Sequence, residues 1–316
     1  MPQITRNALL LSALALAVTV TGCARDPEKR TLSELAVSGS KSMVRTDSDM
    51  QKVLNALTAL DGKAIEKTSP TEARQQPTLT DAVKKVLANE ARDSSPTALV
   101  PGVVTSERSV PGATGNLPAT VYTPQGTGPF PVVLYFHGGG WVIGSIESHE
   151  AFTGFLAKEL KAKIFSVDYR LAPEHPFPIP LADCEAAFNW VKDNALDLGI
   201  NPNRVSVGGD SAGGNLAASL CIKRKQEELS MPQAQLLIYP VTDLTLKHPS
   251  MDEMAEGFFL TKASMEFFRN QYLKNDELTK DPLVSPLFAE NLSNHPPAVV
   301  VTAGFDPLRD EGDQYA

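Results

Sequence analysis

One serine stands where it could act as a nucleophile. Ser211 is the centre of Gly209-Asp210-Ser211-Ala212-Gly213, between a β-branched run, Val205 to Val207, and an Ala/Leu-rich helical pattern reaching about Glu228. A strand, a sharp turn and a helix in that order lift the hydroxyl above the sheet edge and aim the helix N-terminus at it. The spacing alone is weak, because Gly-rich strand-to-helix turns are common. His137-Gly138-Gly139-Gly140-Trp141 strengthens it. This glycine run follows the apolar stretch Pro131 to Phe136 and can present backbone N–H groups to a developing negative charge. The N–H groups of Gly138 and Gly139, with that of Ala212, are the expected oxyanion donors. A phosphate-binding loop fits poorly, since Gly138, Gly140 and Gly144 do not match G-x-G-x-x-G and no Gly-Lys-Ser/Thr follows.

Alternating elements must position these groups. Two strands, 104–110 and 117–123, flank the turn Pro111 to Asn116 and read as a hairpin. Strands at 131–136, 164–167, 205–207, 235–239 and 298–302 follow. Helical stripes run between them: Phe152, Phe155, Leu156 and Leu160, then Leu181, Cys184, Phe188 and Val191. The expected fold class is α/β: a mostly parallel sheet with helices on both faces, preceded by N-terminal helices that form a lid. Met50, Val53, Leu54 and Leu57 mark one of those helices, closed by Asp61-Gly62. Val83, Val86 and Leu87 mark another, starting at Thr80. Residues 241–281 interrupt the alternation. Their Met251, Met254, Phe258, Phe259, Met265, Phe267 and Phe268 either line an acyl pocket or serve as core for their own helix.

The 316 residues suffice for one large domain, and the net charge of −8 argues against a nucleic-acid partner. Residues 1–22 read as a lipoprotein signal peptide. Arg6 precedes an apolar run, and Val20-Thr21-Gly22-Cys23 is similar to a bacterial lipobox. Cys23 is then the lipidated residue, anchoring the protein to a membrane of the cell envelope on its periplasmic or extracellular side. Residues 23–102 become tether and lid helices, and 103–316 the main domain. A plain secretory signal is the alternative. Cys184 and Cys221 fall in helices, read as buried thiols, and have no metal-ligand spacing with histidine.

Four motifs in order, His137-Gly-Gly-Gly-Trp141, Tyr169-Arg-Leu-Ala-Pro-Glu-His-Pro-Phe177, Gly209-Asp-Ser-Ala-Gly-Gly214 and Asp306-Pro-Leu-Arg-Asp-Glu-Gly312, resemble the hormone-sensitive lipase-like esterases. Gly-Asp-Ser-Ala-Gly is similar to their common bacterial subgroup. The resemblance implies an α/β-hydrolase fold, a small-molecule ester substrate of short-to-medium acyl length, and no metal or cofactor. It assigns Ser211 as nucleophile and Asp306 as the acid that orients the base. Asp306 can also be read as a helix N-cap, Asp310 as a first-turn helix charge, and Asp210 as a brace for the turn. Glu174 and His175 belong to a structural motif of the family.

The family's base histidine lies roughly 30 residues beyond that aspartate, after one more strand. This sequence has five histidines, His137, His149, His175, His248 and His295, all before Asp306. The sequence therefore reads as a C-terminally incomplete hydrolase domain lacking its last strand and helix, with a bare sheet edge. The rival readings are a small-molecule binding protein on an inactive hydrolase scaffold and an inactive truncated hydrolase.

Overall fold

The computed structural model describes residues 47–316. Residues 1–46, which include the expected signal peptide 1–22, Cys23 and most of the expected tether, lie outside the described residues. A seven-stranded sheet in the order β1-β2-β4-β3-β5-β6-β7 forms the centre. Its strands are β1 (Val104–Pro111), β2 (Asn116–Thr123), β3 (Phe130–Phe136), β4 (Lys163–Val167), β5 (Ile200–Asp210), β6 (Gln235–Ile238) and β7 (Ala298–Val301). β1 and β2 pair antiparallel, as do β2 and β4, and the remaining neighbours are parallel.

The sequence accounts for these strands directly. β3 and β4 are nearly continuous apolar runs because helices cover both of their faces, and Leu134, Tyr135, Phe136, Ile164, Phe165 and Val167 are fully buried. β5 begins five residues earlier than its apolar run. The extension, Ile200 to Arg204, is mostly exposed, and the register shifts between the Phe130 and Val132 pairings, so no hydrophobic pattern marks it.

Ten helices are described. N-terminal α1 (Ser48–Thr58), α2 (Pro70–Ala73), α3 (Leu79–Asn89) and α4 (Pro96–Leu99) precede the sheet. α5 (Ile146–Leu160), α6 (Ile179–Asp193) and α7 (Ala212–Gln226) connect its strands. α8 (Pro249–Glu253) and α9 (Lys262–Tyr272) lie in the insertion, and α10 (Arg309–Tyr315) follows β7. α3 starts with a capping box in which the Thr78 hydroxyl and the Asp81 side chain each accept the other residue's backbone N–H. α1 and α3 have a small core of their own, Val53, Ala82, Val83, Val86 and Leu87. In the insertion, Met251, Met265 and Phe268 are buried in the main core. Phe258 and Phe259 are exposed, and Phe258 stacks on Phe305 at 5.9 Å. No helix among the described residues is long and apolar enough to cross a membrane.

The chain leaves β3 for β4 on one side and returns through α6 to β5 on the other. The C-terminal ends of β3 and β5 therefore open a crevice where the strand order reverses, and such crevices take ligands in parallel α/β sheets. The glycine loop after β3 and the serine turn after β5 both emerge there.

Candidate active site

Ser211 has φ 52° and ψ −118°, a sparsely populated conformation for a residue with a side chain, of the kind that costs on the order of 1–3 kcal/mol. The surroundings hold it. Its N–H donates to Ile238 O at 2.9 Å, and its carbonyl accepts from Asn215 N at 3.0 Å and Val241 N at 3.2 Å. The neighbouring glycines are steric requirements. A Cβ on Gly213 or Gly209 would overlap the Phe136 carbonyl, so α7 could not approach β3 this closely with any other residue. Ala212, first residue of α7, is fully buried under the turn.

The loop after β3 folds back toward the serine through a turn in which Val142 and Ile143 N–H both donate to Gly139 O, at 3.1 and 2.9 Å. Gly139 has φ 115°, a region closed to side chains, and a Cβ there would run into the Ile143 carbonyl. The back of the loop is packed hard. Trp141 is fully buried and stacks on Tyr272 of α9 at 4.2 Å and 4°, while Phe268 lies against Gly140.

One expectation is corrected here. The Gly138 N–H donates to Asp210 Oδ1 at 3.0 Å and is not free to meet an oxyanion. No backbone hydrogen bond occupies the N–H groups of Gly139, Gly140 or Ala212 among the described residues. Sequence spacing could not show this, because all three consecutive glycines offer the same donor.

Asp210 is the hub of the site. Oδ1 accepts from the Tyr135 hydroxyl at 2.7 Å as well as from Gly138, and Oδ2 lies 3.2 Å from His149 Nε2. It is nearly buried, at 7% exposure. Burial pushes its carboxyl up, but the His149 charge and the hydrogen bonds from His149 and Tyr135 prevail, leaving it below the ordinary value.

Asp306 follows β7 at the same sheet edge and is also 7% exposed. Oδ1 accepts the Leu308 N–H at 2.9 Å and its carbonyl accepts Arg309 N–H, so it also shapes the entry to α10. Burial raises its carboxyl to about 6, partly opposed by the Leu308 N–H. Asp310 accepts from Ser250 N and pairs with Arg309, joining α10 to α8. Glu311 is fully buried: Oε1 accepts Thr242 and Asp243 N–H at 2.7 and 3.2 Å, and Oε2 has no hydrogen-bond partner.

None of the five histidines hydrogen-bonds Ser211 or Asp306. His137 Nδ1 lies 2.8 Å from Gly138 O, and its ring stacks on Tyr169. His149 is held by Asp210 and His248 by Asp243 at 3.1 Å. His175 sits in the proline-rich loop, its N–H donating to Leu171 O. His295 precedes β7 near Lys225, with burial and then that cation lowering its proton affinity.

Three supports carry no signal in the sequence spacing. Arg74, just after α2, donates Nε to Val142 O at 2.8 Å and a second nitrogen to Ala172 O, and it pairs bidentately with Glu174. That pairing holds the Glu174 carboxyl at about 2. Asn215 Nδ2 donates to both Val241 O and Val284 O, closing the base of the insertion. His149 is the third.

A strained turn at Ser211 between β5 and α7, beside the glycine loop that follows β3, is the strand–turn–helix arrangement of an α/β-hydrolase fold. The comparisons agree. Residues 133–316 match the family described as alpha/beta hydrolase fold, and the chain belongs to that family, in its hormone-sensitive lipase-like branch. The carboxylic ester hydrolase LipN of Mycobacterium tuberculosis is 45% identical over 217 residues, covering 67% of this chain and 58% of that protein. An arylesterase of Saccharolobus solfataricus is 40% identical over 202 residues, covering 64% of this chain and 66% of its own length. The chain thus spans between 58 and 66% of the length of these relatives. A solved α/β-hydrolase structure from the metagenome of Lake Arreo superposes with TM-score 0.74 at 37% identity, covering 85% of this chain and 82% of the other.

Proposed function

We propose that this chain is the greater part of a serine carboxylesterase acting on short-to-medium acyl esters. The observation that carries the reading is the strained Ser211 turn facing the uncommitted N–H groups of the glycine loop. In this reading Ser211 Oγ attacks the ester carbonyl and its proton passes to an imidazole. The oxyanion is held by the N–H groups of Gly139, Gly140 and Ala212. The alcohol leaves with the proton, an acyl-enzyme remains, and water releases the acid by the same steps. Asp306 orients the imidazole, and the cation formed there would offset the cost of ionising this buried carboxylate.

None of the five histidines hydrogen-bonds Ser211 or Asp306, so the reading assigns the base to a histidine beyond these 316 residues. It also retains lipidation of Cys23, membrane attachment through that lipid and a place in the cell envelope. Support for these comes from the lipobox-like Val20-Thr21-Gly22-Cys23 alone.

The test is hydrolysis of a short-chain p-nitrophenyl ester by residues 24–316, by the same protein extended with its downstream coding sequence, and by Ser211→Ala in both. Turnover in the extended protein, lost about 10³-fold or more in Ser211→Ala, is the expected result. Folded protein inert in every form would overturn the esterase reading in favour of a ligand-binding scaffold. Ser211-dependent turnover by residues 24–316 would return the base to one of the five histidines.

A further inference from the structure

His149 contributes nothing to the reaction as outlined, yet it is seated beside the serine turn with both ring nitrogens engaged. Nε2 faces Asp210 Oδ2 at 3.2 Å. Nδ1 lies 2.8 Å from Ser148 Oγ and 3.3 Å from Ser145 O. Ser148 Oγ donates its own proton to Ser145 O, which leaves a lone pair for the ring. Acceptors on both sides call for an imidazolium.

The carboxylate it touches has an awkward position. Asp210 grips Gly138 and so fixes where the next two glycine N–H groups point, but its negative charge adjoins the place where an oxyanion would form. Among side chains buried this deeply, an uncompensated carboxylate opposes that oxyanion. Resting on the esterase reading, we propose that His149 is a positioning residue: as an imidazolium it orients Asp210, which holds the Gly138–Gly140 loop, and offsets the Asp210 charge at the oxyanion site.

The other cationic candidate beside Asp210 is His137, whose effect on that carboxyl ranks behind those of His149 and Tyr135. Tyr135 of β3 is hydrogen-bonded to Asp210, with its ring 6.4 Å from His149. His137 lies 5.7 Å away, its Nε2 3.7 Å from Asp168. Tyr169 and Tyr239, near Asp210, are held far above the ordinary phenol range by burial and stay neutral. On its own helix, Glu147 and Glu150 are anionic candidates, not cations. Burial lowers the proton affinity of His149, but Asp210 and the Ser145 carbonyl more than restore it, so its value ends above that of a free imidazole. The imidazolium is therefore complete below the usual imidazole range and is lost as pH rises through that raised value.

The test uses the extended protein and its His149→Gln and His149→Ala variants. Gln keeps a donor toward Asp210 without charge. Expected for His149→Ala is a fall in kcat of about ten- to a hundredfold with KM little changed, since a displaced loop harms the transition state more than binding. His149→Gln should recover part of it. Wild type should show kcat falling on the alkaline side, and that limb should vanish in His149→Gln, which loss of packing alone would not produce. In parallel, residues 24–316 labelled with 15N-glycine are titrated by NMR. The Gly138 amide should shift with the His149 imidazole in wild type and stay still in His149→Gln. A Gly138 amide indifferent to pH, or an unchanged alkaline limb in His149→Gln, overturns the proposal. If no form turns over ester, the esterase reading fails, while the Gly138 titration still decides whether His149 sets the loop.

Discussion

Gly139 shows how little freedom the site has at the level of single residues. Its φ of 115° excludes a side chain, and a Cβ would meet the Ile143 carbonyl, so alanine there must unwind the turn that aims the neighbouring N–H groups. We expect Gly139→Ala in the extended protein to lower kcat about 10²- to 10³-fold, the usual effect of losing one oxyanion donor, with a much smaller change in KM. Steady-state kinetics on a p-nitrophenyl ester check it, and an unchanged kcat would remove this loop from the reaction. The same residue illustrates a limit of reading sequence. Three adjacent glycines advertise a donor loop, but which amide is spent internally depends on Asp210, 72 residues away from Gly138. That contact has no periodicity or motif of its own.

Elements, by contrast, were largely legible. β3, β4 and α7 are written as apolar runs and small-residue helices because each is enclosed by packing on both sides. The polar start of β5 was not, since nothing buried constrains its composition. The serine turn and the glycine loop were readable because steric demand there admits few residue types. The ties between elements were not, because one long side chain can bridge segments far apart in sequence. Arg74 is the clearest case. From just past α2 it holds the carbonyls of Val142 and Ala172 and the Glu174 carboxylate, so the N-terminal segment is buckled to the rear of the glycine loop. Glu66 reinforces the strap by accepting from Ser264 at the start of α9. The Glu174 pair is partly exposed and contributes modestly, whereas the two carbonyls would lose charged donors. Arg74→Ala should cost about 1–2 kcal/mol, read as a lower urea midpoint, and should speed proteolysis near residues 60–76. Equal stability and equal cleavage would mean that the segment is held by apolar contact alone.

For the whole molecule, the ionisable groups with displaced proton affinities set opposing pH trends. Glu174 is held at about 2 by Arg74, and Asp210 is lowered by His149 and Tyr135 despite its burial. Their contributions are present above the ordinary carboxylate range and are lost as pH falls toward the lowered values. Asp306, raised to about 6 by burial, acts in the other direction, as does Glu311, raised by burial and by the charges of Asp243 and Asp306. Their protonated forms favour folding below the ordinary carboxylate range, and that contribution disappears as pH rises through the raised values. For Asp306 a rise from 3.8 to about 6 corresponds to about 3 kcal/mol. Residues 24–316 should therefore melt at a higher temperature near pH 5 than at pH 8. Asp306→Asn should flatten the decline between those values, because the amide has nothing to ionise. The slope also bears on catalysis. An imidazolium docked on Asp306 would pull its carboxyl back toward the ordinary range, so a protein that supplies the base histidine should lose less stability toward pH 8 than residues 24–316 do. Thermal melts across pH for the extended protein, residues 24–316 and Asp306→Asn in each measure this directly. Identical slopes in the two wild-type lengths would mean that Asp306 receives no such partner, and its assignment as the orienting acid would fall.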